Sequence, residues 1–451
     1  MQKGSAELNQ NSRRESLLPV PLDSRIFGLS TYIPFWISSM VVIQIFIVGQ
    51  TFVPPNGSLN LFQASIAAVI SALIVGIMFI VNSHPGMTYG IPFIVQARSA
   101  FGFNGARVAS LIRVLPAVVW FGIGSWIGAA AVSYITENFW GWSSTPTYFI
   151  SFLFIQTLLA YYGIQVAKWF NSLLSAVIII FLIYINIQFL IVGNLEVSAS
   201  WQGEGDWGLP FFASITAAVG ILITGAINNG DISRYLINSA KHNWIGHLFG
   251  IVPTYLLLVF TGILAAIVTG IWDPIEALVS VVPNPSIAVL MLVFVIAAQV
   301  TTNLTLNIIP PAIVLMETFN IKWGISTIIV GILGIVSFPW LLLTNETFNT
   351  FIGYYSAFLG PLLGILITDF YFVRDRRFNV SRLYNNAVKY NWLGLGALLI
   401  GGIIGIVFLE ISWMVSLPIS SLLYWLGYKY LPSYKKELMR DKKEEAGDLV
   451  V

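Results

Sequence analysis

Cysteine is absent from this 451-residue chain, which excludes disulfides and thiolate metal sites. Charge is almost as scarce. Asp, Glu, Lys and Arg together make up 9% of the residues, against about 25% in a soluble domain whose surface faces water. The formal net charge is +2, and no lysine- or arginine-rich block offers a surface for nucleic acid, so nucleic acid is not an expected partner. No polar segment is long enough to build a soluble catalytic domain. The chain also lacks a His-Glu-x-x-His pattern and paired carboxylates within an apolar stretch, so enzyme activity is not expected.

What the sequence does contain is apolar length. Hydrophobic residues make up 57% of it, and stretches near the ~20 residues that a helix needs to cross hydrocarbon recur from Ile26 almost to the end. The lipid bilayer is therefore the expected surroundings, and the fold class is all-α integral membrane. Twelve spans are expected, at 28–50, 62–82, 107–135, 147–164, 169–193, 210–230, 243–271, 285–310, 323–343, 348–372, 392–409 and 413–431. Turn-forming residues mark the gaps, as in Val53-Pro54-Pro55-Asn56-Gly57 and Trp201-Gln202-Gly203-Glu204-Gly205-Asp206.

Lysine and arginine set the expected orientation. With the N-terminus inside, the even-numbered loops hold Arg98, Arg107, Lys168, Arg234, Lys241, Lys322, Arg374, Arg376, Arg377, Arg382 and Lys389. The tails add Arg13, Arg14, Lys435, Lys436, Arg440, Lys442 and Lys443. The odd-numbered loops carry acidic residues instead: Glu137, Glu196, Glu204, Asp206, Asp273, Glu276 and Glu346. A multi-pass protein of the cell (plasma or inner) membrane with both termini cytoplasmic is expected. The polar N-terminal stretch lacks a small-residue cleavage pattern and reads as a cytoplasmic tail.

Two spans look breakable at depth. One is the first, at Ser30-Thr31-Tyr32-Ile33-Pro34-Phe35-Trp36-Ile37-Ser38-Ser39. The other is the sixth, at Thr216-Ala217-Ala218-Val219-Gly220-Ile221, leading to Gly225 through Asp231. Interrupted helices at matching positions of two halves point to an inverted repeat with its site at the midplane. In the eighth span Ala298, Thr301 and Thr302 stand at i, i+3 and i+4 and so share a helix face. Two hydroxyls and a carbonyl there, joined by backbone oxygens near Ser38 and Val41, make a set of hard ligands suited to Na⁺. Threonines that bond back to their own helix are the simpler alternative. No Asp or Glu lies near the middle of a span, and His84, His242 and His247 are expected in or beside cytoplasmic loops. Proton carriers place such groups inside the membrane, so Na⁺ is the expected coupling ion, with no organic cofactor.

Several stretches carry a family likeness. They are Tyr89-Gly90-Ile91-Pro92-Phe93, Ala97-Arg98-Ser99-Ala100-Phe101-Gly102 and Trp120-Phe121-Gly122-Ile123-Gly124-Ser125-Trp126-Ile127-Gly128. Gly230-Asp231-Ile232-Ser233-Arg234-Tyr235, Thr301-Thr302-Asn303, Gly360-Pro361-Leu362-Leu363-Gly364 and Thr368-Asp369-Phe370-Tyr371-Phe372-Val373-Arg374 follow. In this order and spacing the chain resembles the nucleobase:cation symporter-1 family of hydantoin, cytosine and allantoin permeases, from about Ser24 to Tyr384. The resemblance implies a leucine-transporter-like five-plus-five inverted repeat. Its expected parts are an N-terminal tail at 1–25, a first repeat at 26–195, a second at 208–373, two further helices at 390–431, and a C-terminal tail at 432–451.

The resemblance also implies the substrate site. Trp120 matches the tryptophan on which a planar ring stacks in the hydantoin carrier, a contact worth ~0.5–1.5 kcal/mol beyond area burial. Asn307 matches a hydrogen-bonding asparagine, and Asn303 lies on its face one turn earlier. An amide carries both donor and acceptor, which suits a nucleobase or ureide edge. Gly124 replaces a glutamine and Leu222 a second tryptophan, so a bulkier or differently edged ligand than a simple 5-aryl hydantoin is expected. Ser125 and Gly220 border the same region. On the first span a relative's glutamine matches either Val42 or Gln44; a buried Gln44 without a polar neighbour is costly, which favours Gln44. The expected function is secondary active transport: Na⁺-coupled symport of a small planar nitrogen heterocycle by alternating access. A proton-coupled carrier, or an amino-acid or vitamin importer on the same fold, stays open at this point. A channel does not, because no polar or charged ring repeats along the spans.

Overall fold

The computed structural model describes residues 17–162, 164–385 and 388–448, with side chains for all of these except 164–176 and 441–448. Arg13 and Arg14 lie outside the described residues, as do the side chains of Lys168, Lys442 and Lys443. The architecture is all-helical. Among the described residues seven helices are long and apolar enough to cross a membrane: Leu61–Tyr89, Phe103–Trp140, Leu209–Ile227, Ala240–Thr269, Pro285–Phe319, Asn345–Val373 and Leu409–Tyr430. Two bent pairs, two shorter apolar helices (Trp323–Ile335 and Trp392–Val407) and Thr145–Tyr161 bring the spans to twelve. The bent pairs are Leu29–Ser39 with Ile43–Gln50, turned by 53°, and Val177–Val192 with Asn194–Gln202, turned by 84°. Large apolar side chains such as Leu115, Phe154, Ile180, Ile191 and Val407 are exposed around the outside, a surface compatible with lipid.

The helices pack in groups. The first, second, sixth and seventh spans lie against one another; the third, fourth, eighth and ninth form a second set. The fifth packs on the first and seventh, and the eleventh and twelfth cover the tenth. This is the five-plus-five inverted repeat with two added C-terminal helices. Its loops sort by parity. At one end the first loop meets the fifth and the ninth: Asn60 Nδ2 donates to Gly203 O at 2.8 Å, and Asn345 Nδ2 to Asn56 Oδ1 at 3.3 Å. Trp272 Nε1 donates to Leu343 O at 2.7 Å, tying the seventh and ninth loops. At the other end Arg25 donates to Met87 O and Leu236 O, and Arg98 to Leu383 O at 3.0 Å.

Two carboxylates at this second end, Glu317 and Asp369, are buried but bonded, as low-dielectric surroundings require. Glu317 accepts from Arg98 at 2.7 Å and Arg107 at 3.3 Å. Asp369 accepts from Arg374 at 3.0 Å, from the Tyr424 hydroxyl at 2.8 Å, and from the Ser99 hydroxyl.

Close helix crossings depend on glycine, as in membranes generally. A Cβ on Gly262 would fall 1.9 Å from Phe46 O, and one on Gly49 2.2 Å from Val259 O, so the first and seventh spans touch backbone to backbone. Gly262→Ala is therefore expected to destabilise the protein by about 1–3 kcal/mol or more through overpacking. Gly396, which has nothing within 4 Å of its Cβ position, is the control: Gly396→Ala should raise stability by ~0.5–1 kcal/mol through helix propensity. Thermal unfolding in detergent measures both, and equal midpoints for the two variants would refute the crossing.

Candidate substrate and cation site

The first span opens where its local chemistry disfavours helix. The Ser38 hydroxyl bonds back to Pro34 O at 3.1 Å, a contact that bends helices. The β-branched run Val41-Val42-Ile43 follows. Between the two half-helices the carbonyls of Ser38, Ser39 and Val41 turn toward the eighth span. Thr301 Oγ1 donates to Ala298 O at 2.8 Å and lies 3.3 Å from Ser38 O. Thr302 Oγ1 lies 3.1 Å from Ser39 O and 3.3 Å from Val41 O. The oxygens of Ser38, Val41, Ala298, Thr301 and Thr302 are thus brought together in one buried cluster; Thr301 bonds back to its own helix, and Thr302 bonds across to the first span.

The eighth span changes gauge just below this cluster. Asn303–Ile308 is π-helical between Pro285–Thr302 and Ile309–Phe319. Pro310 and Pro311 have no N–H with which to continue the ordinary ladder, and a π turn of this kind recurs at functional sites. It carries both asparagines. Asn307 Nδ2 donates to Asn303 Oδ1 at 3.0 Å, and Asn303 Nδ2 donates to Gln156 Oε1 at 2.9 Å. Gln156 Nε2 donates in turn to Ser125 Oγ at 2.9 Å and Phe152 O at 3.2 Å. Gln44 is buried on the second half-helix of the first span, Ile43–Gln50, and its Oε1 has no hydrogen-bond partner among the described residues. A Cβ on Gly124 would fall 2.9 Å from Asn303 Oδ1 and 3.0 Å from Gln44 Nε2. The space expected to open at Gly124 is therefore occupied by two amides of this chain.

Trp120 lies four residues before Gly124 on the same helix. Its indole is met edge-on by Phe348, Phe351 and Tyr355 of the tenth span, with ring centroids 5.7, 5.4 and 6.1 Å away. Tyr355 also reaches the sixth span, donating to Gly220 O at 3.0 Å. The sixth span differs from expectation in part: it is one continuous helix through Thr216–Ile221, and its discontinuity falls at Asn228, within the Gly225–Asp231 stretch and before the short helix Asn229–Ser233. Its glycines serve contact rather than breakage. The Cβ position of Gly220 lies 2.6 Å from Ser356 Oγ, and that of Gly225 3.0 Å from Phe79. Leu222 is buried on this helix. Asn82 Nδ2 donates to the carbonyls of Ala226 and Ile227, each at 2.8 Å, where the helix ends.

Two site residues escape sequence reasoning. Gln156 is one amide in an apolar fourth span, and Arg113 one cation inside the third. Arg113 is fully buried; its Nη2 donates to Leu306 O at 2.7 Å and its Nε to Thr224 O at 3.2 Å. Leu306 O is the carbonyl that Pro310 cannot serve. The only sequence signal was an arginine seven residues before Trp120, hence on nearly the same helix face. The histidines also need correction. His84 and His247 lie within helices, and His247 is fully buried among Tyr32, Trp36 and Phe79.

Residues 19–428 match the family of permeases for cytosine/purines, uracil, thiamine and allantoin. A hydantoin permease of Microbacterium maritypicum is 28% identical over 84% of this chain and 81% of its own length. An allantoin permease of Bacillus subtilis is 26% identical over 94% of both. Among solved structures, a nucleobase-cation-symport-1 family transporter in a closed conformation with bromovinylhydantoin bound is 25% identical. It superposes with a TM-score of 0.82, covering 95% of this chain and 98% of its own. A Na⁺-coupled sialic acid symporter, 11% identical with a TM-score of 0.60, shares the fold alone. With twelve spans, a broken first helix facing a polar eighth, and a family match across nearly its whole length, this chain is a membrane transporter, not an enzyme, and belongs to the nucleobase:cation symporter-1 family.

Proposed function

We propose that this transporter couples Na⁺ to the import of a small planar nitrogen heterocycle by alternating access, in the cell membrane with both termini cytoplasmic. The observation that carries the reading is the oxygen cluster of Ser38, Val41, Ala298, Thr301 and Thr302. Each threonine hydroxyl keeps a lone pair after donating its hydrogen. The set contains carbonyls and hydroxyls but no carboxylate, which suits a hard monovalent cation over a divalent one. Freed carbonyls at a broken helix are a recurring Na⁺ environment in transporters. The heterocycle reading is supported by Trp120, Asn307 and Gln44, whose Oε1 has no partner among the described residues, an apolar face and a polar edge on adjoining spans.

Two competing readings fare worse. A carboxylate-bearing amino acid needs a free helix N-terminus, but Gly220 lies inside an unbroken helix with its carbonyl bonded to Tyr355. Proton coupling through His247 needs a vacant ring nitrogen. Its Nδ1 lies 2.8 Å from Asn243 O, which only accepts, so Nδ1 carries the hydrogen. Its Nε2 lies 2.9 Å from Asn229 Nδ2 and 3.1 Å from the Tyr32 hydroxyl. Asn229 Nδ2 is fixed as a donor by Phe79 O at 2.7 Å. Both nitrogens of His247 are thus engaged in the neutral form.

Substrate is expected to bind more tightly in Na⁺ than in K⁺ or choline, and by linkage to tighten Na⁺ by the same factor. Thr302→Ala should abolish that Na⁺ effect while leaving weak, Na⁺-independent binding; uptake that follows a pH gradient and ignores Na⁺ would defeat the reading. Asn307→Leu should cost ~1–3 kcal/mol in affinity by stranding a ligand polar group. Trp120→Ala should cost at least as much. If both variants bind the best ring compound as the parent does, the substrate site is misplaced. For orientation, cysteines introduced at Ser58 and Glu204 should react with impermeant reagent in intact cells. One at Arg377 should react only after the membrane is opened, and its labelling from outside would invert the topology.

A further inference from the structure

The amides between the third, fourth and eighth spans do more than fill space, because their bonds have a direction. Phe152 O is a backbone carbonyl and only accepts. The nitrogen of Gln156 must therefore face it, at 3.2 Å. That turns Gln156 Oε1 toward Asn303, which must answer with its nitrogen, at 2.9 Å. Asn303 Oδ1 is then left toward Asn307, which again answers with nitrogen, at 3.0 Å. Three amides on two spans are ordered by one carbonyl. At the end of the line Asn307 Oδ1 takes no bond from any described residue. Reversing any one amide sets nitrogen against nitrogen and oxygen against oxygen, at a cost repeated along the chain.

Resting on the heterocycle reading above, we propose that Gln156 is a specificity-determining positioning residue: through Asn303 it holds Asn307 with its oxygen toward the ligand. The cargo is then a ring that turns an N–H donor to the eighth span, a lactam, imide or ureide edge, and not a ring whose nitrogens only accept. Gln44 cannot impose such a choice, since its Oε1 is without a partner and its amide is free to present either end. Ser125 is a side branch of the line. It accepts from Gln156 at 2.9 Å and from Asn303 at 3.4 Å, but Phe152 O still orients Gln156 without it.

The test is equilibrium binding to the purified full-length protein in Na⁺, with uracil and hydantoin as N–H probes and their 1,3-dimethyl derivatives as probes lacking it. The parent should prefer the N–H member of each pair by about tenfold or more, within the roughly 5- to 150-fold expected for one unmatched buried polar group. In Gln156→Met the asparagines lose their fixed direction, Asn307 can offer its nitrogen, and the preference should fall to about threefold or less. Gly396→Ala, on the eleventh span away from the site, should keep the parental preference. If no ring compound binds the parent, the heterocycle reading and this one fail together. If the rings bind but the dimethyl derivatives bind as well, only the ordered amide line is overturned, and the parent alone decides that. An undiminished preference in Gln156→Met also overturns it, since steric exclusion of the methyl groups would then account for the parent.

Discussion

A backbone carbonyl that leaves its helix inside hydrocarbon has no water to turn to, and an unmatched polar group there costs several kcal/mol. Three irregularities in this protein are each answered by a side chain from another span. The break in the first span is met by Thr301 and Thr302 of the eighth. The end of the sixth is met by Asn82 of the second. The proline-interrupted turn of the eighth is met by Arg113 of the third, which also reaches Thr224 of the sixth. Helices that would otherwise be independent are thereby made to depend on one another at the depth where a ligand and an ion would bind.

Those dependencies join the two packed groups of helices. Thr301, Thr302 and Arg113 belong to the set formed by the third, fourth, eighth and ninth spans; the carbonyls of Ser38, Ser39, Val41 and Thr224 belong to the other. Tyr355 adds a further link, resting its ring on Trp120 while its hydroxyl holds Gly220 O. A motion that separates the groups must exchange these bonds for others. On the proposed function, a cation among the oxygens and a ligand beside Trp120 and Asn307 would supply replacements in the same places, which is what coupling would require physically.

Glycine makes the polar contacts possible. Gly124 gives up its side chain so that Asn303 and Gln44 can approach the third span, and Gly220 and Gly225 let the sixth span lie close to the tenth and second. The same residue type that weakens an isolated helix here permits the buried helix to stay whole. That is why the glycines of the sixth span do not mark a break: tertiary contact along the helix outweighs their local preference.

Apolar length and the sidedness of Lys and Arg were sufficient to count the spans, because hydrocarbon thickness and the cost of burying charge act on composition directly. The break after Ser38 and the shared face of Ala298, Thr301 and Thr302 were legible too, since both follow from local chemistry and helical period. Span ends were less so: the second helix was expected to stop at 82 and runs to Tyr89, and the third extends to Trp140. Gln156 and Arg113 were invisible as site residues, since a lone polar residue in an apolar run reveals that it needs a partner but not which one. The burial of His247, the filling of the space at Gly124 and the direction of the Gln156–Asn303–Asn307 line were decided only when distant spans came together. Composition and period are properties of one stretch of chain, whereas a hydrogen bond between spans depends on which donor the fold sets opposite which acceptor.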